Sequence, residues 1–243
     1  MLLEQTKNIA DKWGKSLGFS RGFGLQGLNV EECQKIHEAT MEVLEKVGIS
    51  VPSQKAQKFF GDHGARIDKS KNLVYIPSDL VEKALTTIPS EITIPGRDRS
   101  GDYFMGGDKL DFINFGTTVF INDLNTGERR KSVTEDVVEA TRVLDALTSI
   151  KILITVLSCT DKSPVTETMN ATAAMLANTN KPVEAAPPTA NLIPKMALMG
   201  EAAIGKEAFR KNPFFFTGVC VVSPLQLVDE CSEVLMAAGE NGF

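Results

Sequence analysis

Two carboxylates and two thiols follow apolar stretches of the chain, where they could take part in chemistry. Asp161 comes shortly after the apolar segment 152–156, and Glu184 lies inside a second such segment. Cys159 and Cys220 occupy similar positions near the ends of apolar segments. A carboxylate at such a position can balance the charge of a cationic ligand, and two thiolates together with Glu184 can bind zinc.

Each of these side chains also has a purely structural interpretation. Asp161 can cap a helix, Glu184 can be a hydrogen-bonded partner between strands, and both cysteines can be buried thiols without a ligand. The run 214–216 of three phenylalanines is more typical of a core than of an aromatic cage around a cation. His37 and His63 both precede the regular part of the sequence, so neither supports a Ser-His-Asp or Cys-His site.

The composition is that of a globular protein without affinity for nucleic acid. The 243 residues are 42% hydrophobic and 23% charged, with a net charge of -5 and a pI near 5.2. We find no basic run to neutralise phosphates, no apolar run near the roughly 20 residues of a membrane helix, and no secretory signal. The four cysteines lack CxxC spacing, which indicates reduced thiols. We therefore expect a cytoplasmic protein whose partner is a small molecule or another protein.

The N-terminal part of the sequence predicts an arm followed by a small α+β region. Residues 1–28 contain glycines among apolar residues, which is typical of an arm that packs on a neighbouring surface. Another subunit is such a surface, so we expect a homo-oligomer. In the α+β region, 29–105, we predict helices from Asn29 (with a capping box to Glu32), Gln54 and Ser78, and strands at 74–76 and 91–94.

From 106 to 243 the pattern becomes regular and predicts a parallel sheet. Each predicted strand is apolar throughout, and a helix follows it after a short loop. Three such units are clear, and the stretch 111–147, with a capping box from Ser132 to Glu135, supplies a fourth candidate. The strands are predicted at 152–156, 182–186 and 214–222, and the helices at 163–177, up to 204, and at 224–238.

The repeat of these units, about 32–38 residues, fits a (β/α)8 barrel or a doubly wound sheet. No GxGxxG sequence follows any of the strands, so we predict the TIM-barrel type of α/β fold. Three or four units cannot close an eight-stranded barrel, and an open parallel sheet would expose its edges. We therefore expect this chain to hold about half a barrel, with an N-terminal α+β region.

Barrel enzymes bind their ligands at the carboxyl ends of the strands. That rule adds three polar or aromatic residues to the two carboxylates and Cys159. The candidate substrate-binding residues are Asn114, Phe115, Cys159, Asp161, Glu184 and Ser223.

An ordered set of short stretches carries a resemblance to a known family. The most specific is 122–130, Asn-Asp-Leu-Asn-Thr-Gly-Glu-Arg-Arg, followed by Thr-Glu-Asp at 134–136. The others are 42–51, 76–81, 144–147, 180–182 and 223–225. Together, from about residue 28 to the end, they resemble the N-terminal half of the trimethylamine methyltransferase family, which includes glycine betaine methyltransferases without pyrrolysine.

The resemblance implies a barrel enzyme, longer than this chain, that demethylates a methylated or quaternary amine such as trimethylamine or glycine betaine. It implies that the acceptor is the cobalt of a corrinoid on a separate cognate protein, so no cofactor binds this chain directly. The barrel would hold the amine with one methyl group facing its open mouth. Asp161 or Glu184 would balance the charge of the amine. The family's pyrrolysine position lies beyond residue 243, so the sequence does not choose between the branches.

Two other functions stay open from the sequence. The first is a zinc-dependent barrel methyltransferase that acts on methanol or a thiol, with Cys159, Cys220 and Glu184 as ligands. The second is a non-catalytic, truncated barrel fragment that only assembles with partners.

Overall fold

A computed structural model describes residues 27–106 and 111–242, so all but the last two residues of the expected N-terminal arm lie outside the described part. The described residues form two compact units. The first contains those up to Ile92, 105–106 and Val221–Ser232, and the second contains Thr93–Phe104, Asp111–Cys220 and the residues from Glu233 onward. None of the helices in these ranges is long and apolar enough to cross a membrane.

The first unit combines helices with a three-stranded antiparallel sheet. Its elements are α1 (Val30–Glu42), β1 (Ile49–Ser50), α2 (Gln54–Asp62), β2 (Arg66–Asp68), β3 (Leu73–Tyr75) and α3 (Ser78–Thr87). A π-helical turn at Val43–Val47 follows α1, and the strand order is β1-β3-β2. Two further strands, β4 (Glu91–Ile94) and β5 (Tyr103–Gly106), pair with each other.

Hydrogen bonds at the helix ends test the predicted caps of this region. The Asn29 side chain accepts from the Glu32 backbone N–H at 2.9 Å, and the Glu32 carboxylate accepts from the Asn29 N–H at 2.8 Å. The predicted capping box is therefore confirmed. The predicted cap at Ser78 is wrong, because Ser78 is already the first residue of α3 and its hydroxyl donates to the Glu45 carboxylate at 2.7 Å.

The second unit is built around four parallel strands. Its elements are β6 (Phe112–Ile113), β7 (Phe120–Asn122), β8 (Arg129–Lys131), α4 (Thr134–Ala146), β9 (Ile150–Ile154), α5 (Glu167–Asn178), β10 (Val183–Ala185), α6 (Ile193–Ile204), α7 (Lys206–Lys211), β11 (Phe215–Thr217) and, from Glu233 onward, α8 (Asp229–Asn241). The sheet order is β11-β10-β9-β6, with every pair parallel. The predicted parallel sheet is confirmed, and the stretch 111–147 is the fourth unit.

Helices cover one face of this sheet. The main core joins buried residues of β9, β10 and β11 to buried residues of α4, α5, α6 and α7. Val183 and its partners on both neighbouring strands belong to this core. Within the described ranges the sheet does not close into a barrel. The fold that the structure shows is therefore a mixed α/β fold with a parallel sheet and covering helices.

The register of the strands places different residues on the opposite face. Glu184 pairs with Ile154 on β9 and with Phe216 on β11. Successive residues of a strand point to opposite faces, and directly paired residues point to the same face. Glu184, Ile154 and Phe216 therefore share the face that lies away from the core of α4–α7.

The predicted start of α4 is wrong in its capping group. The Ser132 hydroxyl donates to the backbone carbonyl of Ser158 at 2.8 Å, so it does not cap a helix. The helix begins at Thr134, and the Asp136 carboxylate accepts from the Val133 N–H at 2.7 Å. The Ser132 hydroxyl, which the local spacing predicted as a helix cap, donates instead to a carbonyl of a distant segment.

Three further boundaries differ from the prediction because turns precede the helices. α5 starts at Glu167 after a turn in which the Thr166 N–H donates to the Ser163 carbonyl. α8 starts at Asp229, and the predicted strand 214–222 is shortened to Phe215–Thr217. The antiparallel hairpin of β7 and β8 was not predicted.

A loop of residues 95–102, which we call the edge loop, closes the amino-terminal edge of the parallel sheet. The Arg97 guanidinium donates to the Leu176 carbonyl and, at 2.7 Å, to the Asn180 side chain, while the Arg97 N–H donates to the Asn180 carbonyl at 2.9 Å. Gly96 and Gly101 pack directly on that carbonyl, which leaves no room for a Cβ at either position.

The residues just before β10 complete this edge. The Thr179 hydroxyl donates to Asp145 at 2.5 Å and accepts from the Lys181 N–H at 3.0 Å. The Lys181 ammonium donates to the carbonyls of Leu144 and Leu147, both at 2.8 Å, and so holds the end of α4. Every polar side chain named at this edge has a protein partner.

Candidate functional site

The carboxyl ends of the four parallel strands lie at one edge of the sheet, and the loops that follow them meet there. Five of the six sequence-predicted residues lie on these strand ends and loops: Asn114, Phe115, Cys159, Asp161 and Glu184. The sixth, Ser223, belongs to the first unit. The carboxyl edge of the second unit is therefore the candidate site.

Glu184 is the carboxylate of this edge whose charge is least compensated. It lies on β10 on the face away from the helices. Its carboxylate makes no hydrogen bond or ion pair with any described residue. Burial raises the pKa of Glu184 above its ordinary value, because the charged form loses hydration without gaining a partner. The predicted alternative of an interstrand hydrogen-bonded partner is thus not what the described residues show.

Asn114 and Phe115 follow β6 and have different environments. The Asn114 amide donates to the Ile154 carbonyl at 2.8 Å and accepts from the Ile154 N–H at 2.9 Å, which continues the pairing of β6 with β9 through a side chain. Phe115, the next residue, is 95% exposed. Asn114 thereby holds the strand end, and Phe115 presents an aromatic ring at the edge.

The loop after β6 packs along the loop after β9. Gly116 lies so close to the Thr155 carbonyl that a Cβ would overlap it, and the Thr117 hydroxyl donates to the same carbonyl at 2.8 Å. The Ser158 N–H donates to the Thr118 carbonyl at 3.0 Å. These contacts fix the path of both loops at the site.

Asp161 is engaged at the start of α4. Its carboxylate accepts from the Thr134 backbone N–H at 2.8 Å and from the Thr134 hydroxyl at 2.9 Å, and it pairs with Lys162 at 3.1 Å. Partial burial works to raise the pKa of Asp161, but the bonds from Lys162 and Thr134 outweigh it and lower the pKa to about 2. The charge of Asp161 is therefore already balanced within the protein.

Residues 122–130, the most specific of the stretches that carry the family resemblance, support the same edge of the sheet through ion pairs. The Arg130 guanidinium binds the Asp136 carboxylate through two bonds of 2.7 and 2.8 Å and the Asp123 carboxylate at 3.0 Å. These bonds join the β7–β8 hairpin to the first turn of α4. Arg130 and the backbone N–H groups of Thr126 and Asn125 lower the pKa of Asp123 to about 2. The hairpin is thereby held at the site.

The two cysteines do not form a metal site in the described structure. Cys159 is fully buried in the main core, and burial raises the pKa of its thiol. Cys220 is exposed. Across residues 27–106 and 111–242, no group of three or more His, Cys, Asp and Glu side chains could hold a metal ion. The proposed zinc ligands Cys159, Cys220 and Glu184 are thus not brought together.

Other sequence predictions have simple structural outcomes. Phe214 and Phe215 are buried, as predicted for a core; Phe215 stacks on Phe209, and Phe214 meets it edge-to-face. His37 pairs with Glu82 at 2.9 Å, within the first unit. In the same unit Ser223 lines an apolar pocket of about 340 Å³ together with Ile49, residues 221–222 and residues 225–227.

Sequence reasoning missed three residues of the carboxyl edge. The hydroxyls of Thr155 and Thr217, at the ends of β9 and β11, are buried and have no hydrogen-bond partner among the described residues. Gly218 follows Thr217 and contacts the Glu184 carboxylate. Their position is the signal that could have found them, since each is the last residue of a parallel strand or the first residue after one.

Parallel strands wound in sequence order, helices on one face and an uncompensated carboxylate on the other face together define an α/β fold with a candidate binding site at the carboxyl edge. The comparisons with known proteins specify it further. The chain belongs to the trimethylamine methyltransferase family, since the family model described as "Trimethylamine methyltransferase (MTTB)" matches residues 19–243. The predicted resemblance is therefore confirmed, and the family is one of methylamine methyltransferases.

Individual relatives agree with this assignment. The chain is 36% identical over 223 residues to trimethylamine methyltransferase MttB of Desulfitobacterium hafniense, covering 91% of this chain and 45% of that protein. It is 30% identical over 228 residues to MttB of Methanosarcina barkeri, covering 91% and 46%. A glycine betaine methyltransferase of D. hafniense is 33% identical over 109 residues, covering 45% and 22%. The chain spans about half the length of the trimethylamine methyltransferases that it matches.

Proposed function

We propose that this protein transfers a methyl group from a methylated amine, of the trimethylamine or glycine betaine type, to the cobalt of a corrinoid on a partner protein. Family membership supports the transferase class and the amine. The observation that carries the proposal within the structure is Glu184, whose partially buried carboxylate has no partner among the described residues. A cationic ligand would supply the charge that this site lacks.

We also propose that the parallel sheet is part of a (β/α)8 barrel. Its four strands lie side by side in the order in which they occur along the chain, and α4–α7 all pack on one face. A doubly wound sheet would instead reverse its strand order and carry helices on both faces. The face of Glu184, Ile154 and Phe216 then corresponds to the interior of the barrel.

The chemistry of a methylated ammonium matches this face. A protonated tertiary amine donates one N–H bond to a carboxylate, while a quaternary amine is held by charge and by aromatic surfaces. Glu184 supplies the charge, and Phe216, its register partner, shares its face. Binding of the cation would lower the raised pKa of Glu184 and keep the carboxylate ionised.

The reduced corrinoid of the partner protein would act as the second substrate and accept the methyl group, while the electron pair of the broken C–N bond would stay on nitrogen. The chain's own residues bind and orient the amine and limit its contact with water. Asn114 and Arg130 hold the strand end and the hairpin that border the site. A large planar cofactor needs open access, and the 95% exposure of Phe115 at this edge supports such access.

Binding and turnover measurements on the same protein test the proposal. Calorimetry with trimethylammonium and glycine betaine should give saturable binding, and Glu184→Gln should weaken it about tenfold, which corresponds to about 1.4 kcal/mol. Glu207→Gln, which removes an exposed carboxylate from α7, should leave the affinity unchanged. When a reduced corrinoid protein is added, methyl transfer from the bound amine should change the absorbance of the cobalt. Conversion with methanol or a methylated thiol, and with no amine, would refute the proposal.

A further inference from the structure

At Gly218, the first residue after β11, the Glu184 side chain occupies the space that a Cβ would fill. A Cβ built on Gly218 would overlap the Glu184 Oε1 atom and lie 3.0 Å from its Cδ atom. No other residue's atoms lie among the nearest neighbours of that position. The carboxylate of Glu184 therefore occupies the space in which any other residue would place its Cβ.

The backbone gives no other reason for glycine at this position. Gly127 and Gly205 have φ angles of 74° and 89°, a region that side chains disfavour. Gly218 is not in this region. Alanine could therefore adopt the conformation of the backbone at 218, and what it would displace is the Glu184 carboxylate.

That displacement concerns the far end of a flexible side chain. Glu184 lies on β10, paired in register with Phe216 two residues before Gly218, so both backbones are fixed by the sheet. A methyl group at 218 would be accommodated by rotation of the Glu184 side chain about its own bonds. The fold would change little, while the position of the negative charge would change by about the size of a methyl group.

We propose that Gly218 is a positioning residue, which lets the Glu184 carboxylate lie against the end of β11 and so sets where a methylated ammonium binds. This inference rests on the proposed function for the identity of the cation. The geometric part concerns Glu184 alone. Glycine at 218 fixes the location of the charge, and Glu184 provides it.

Two measurements on Gly218→Ala test the inference. The affinity for trimethylammonium should fall about tenfold, because the displaced carboxylate no longer lies where the cation binds. The carboxyl carbon resonance of Glu184, assigned by its loss in Glu184→Gln, should titrate with a midpoint closer to that of an ordinary glutamate. The melting temperature should stay that of the wild type. Gly239→Ala, on α8 with open space around its Cβ position, is the matched control and should change neither affinity nor titration.

A second variant tests the cause of the loss. In the Gly218→Ala background, Glu184→Asp shortens the side chain by one methylene and makes room for the new methyl group. The double variant should bind better than the sum of the two single losses predicts. Strict additivity, or an unchanged Glu184 titration in Gly218→Ala, would overturn the inference.

The same data separate this inference from the proposed function. If the wild type binds the amine and Gly218→Ala binds it equally well, the inference fails and the proposed function stands. If the wild type binds no methylated amine, the proposed function fails. In that case the Glu184 titration still decides whether Gly218 positions the carboxylate.

Discussion

The two edges of the parallel sheet differ in how completely their polar groups have hydrogen-bond partners. At the amino-terminal edge, Arg97, Thr179 and Lys181 each have two or more protein partners. At the carboxyl-terminal edge, the Glu184 carboxylate and the hydroxyls of Thr155 and Thr217 have none among the described residues. Both edges border the same core, so packing alone does not account for the difference.

This difference indicates that the amino-terminal edge contributes to stability and the carboxyl-terminal edge contributes to function. Buried polar groups without a hydrogen bond cost free energy, and a protein retains them where a ligand or water supplies the partner. In barrels the amino-terminal edge serves stability and the carboxyl-terminal edge serves binding and catalysis. Substitutions at the first edge should therefore change the free energy of unfolding. Those at the second should change ligand binding with little effect on unfolding.

The largest expected effect is that of Arg97→Ala at the amino-terminal edge. The substitution removes two charge-assisted hydrogen bonds, worth about 1.5–3 kcal/mol each, and leaves the Leu176 carbonyl without this donor. We expect a loss of about 3 kcal/mol in the free energy of unfolding, measured with urea. Arg142→Ala removes a single exposed bond to Asn178 and should cost under about 1 kcal/mol. Equal losses of unfolding free energy in Arg97→Ala and Arg142→Ala would contradict the stabilising role of the amino-terminal edge.

A pair of Thr→Val substitutions compares the edges directly. Thr179→Val removes a buried hydroxyl with two partners and should destabilise the protein by about 1–3 kcal/mol. Thr217→Val replaces a hydroxyl without a partner, so stability should stay the same or rise by up to about 1 kcal/mol. Thermal and urea unfolding measure both. A larger loss of stability in Thr217→Val than in Thr179→Val would show that the Thr217 hydroxyl has a hydrogen-bond partner in solution.

The smallest effects are in the pH dependence of stability, and they sharpen the comparison within the carboxyl edge. The pKa of Asp161 is about 2 in the folded protein against 3.8 ordinarily, so its contribution is present above about pH 4 and is lost as the pH falls towards 2. The pKa of Glu184 is raised, so stability declines as the pH rises from 4.5 through that raised value. Across this range the acid limb of the urea-unfolding profile should become smaller in Asp161→Asn, where Asp123 with its pKa of about 2 still contributes, and the upper decline should disappear in Glu184→Gln. Identical profiles in all three proteins would contradict both assignments.

Local sequence patterns predicted the parts of the fold that local interactions determine. The capping box from Asn29 to Glu32 spans three residues, and both of its hydrogen bonds are present. The apolar strands of the second unit were located because burial on a parallel sheet makes them continuous in sequence. Their ends were misplaced by one to five residues, since turns and strand pairing decide where a strand stops.

Long-range partners explain what the sequence could not predict. The Ser132 hydroxyl matched a cap by spacing, yet it bonds to a carbonyl 26 residues away. Glu184 could be placed at the carboxyl edge from its position in a strand. The role of Gly218 depends on a contact across two strands, 34 positions along the chain from Glu184, and no short motif encodes it.

The edge loop also sets an order of events while the chain is synthesised. The strands of the parallel sheet lie side by side in the order in which they are made, so the sheet can grow in the direction of synthesis. Arg97 is made early, but its partners Leu176 and Asn180 follow 79 and 83 residues later. The Arg97 guanidinium therefore lacks these partners until residue 180 has been synthesised. Closure of the edge loop is thus a long-range step that comes just before β10 is made.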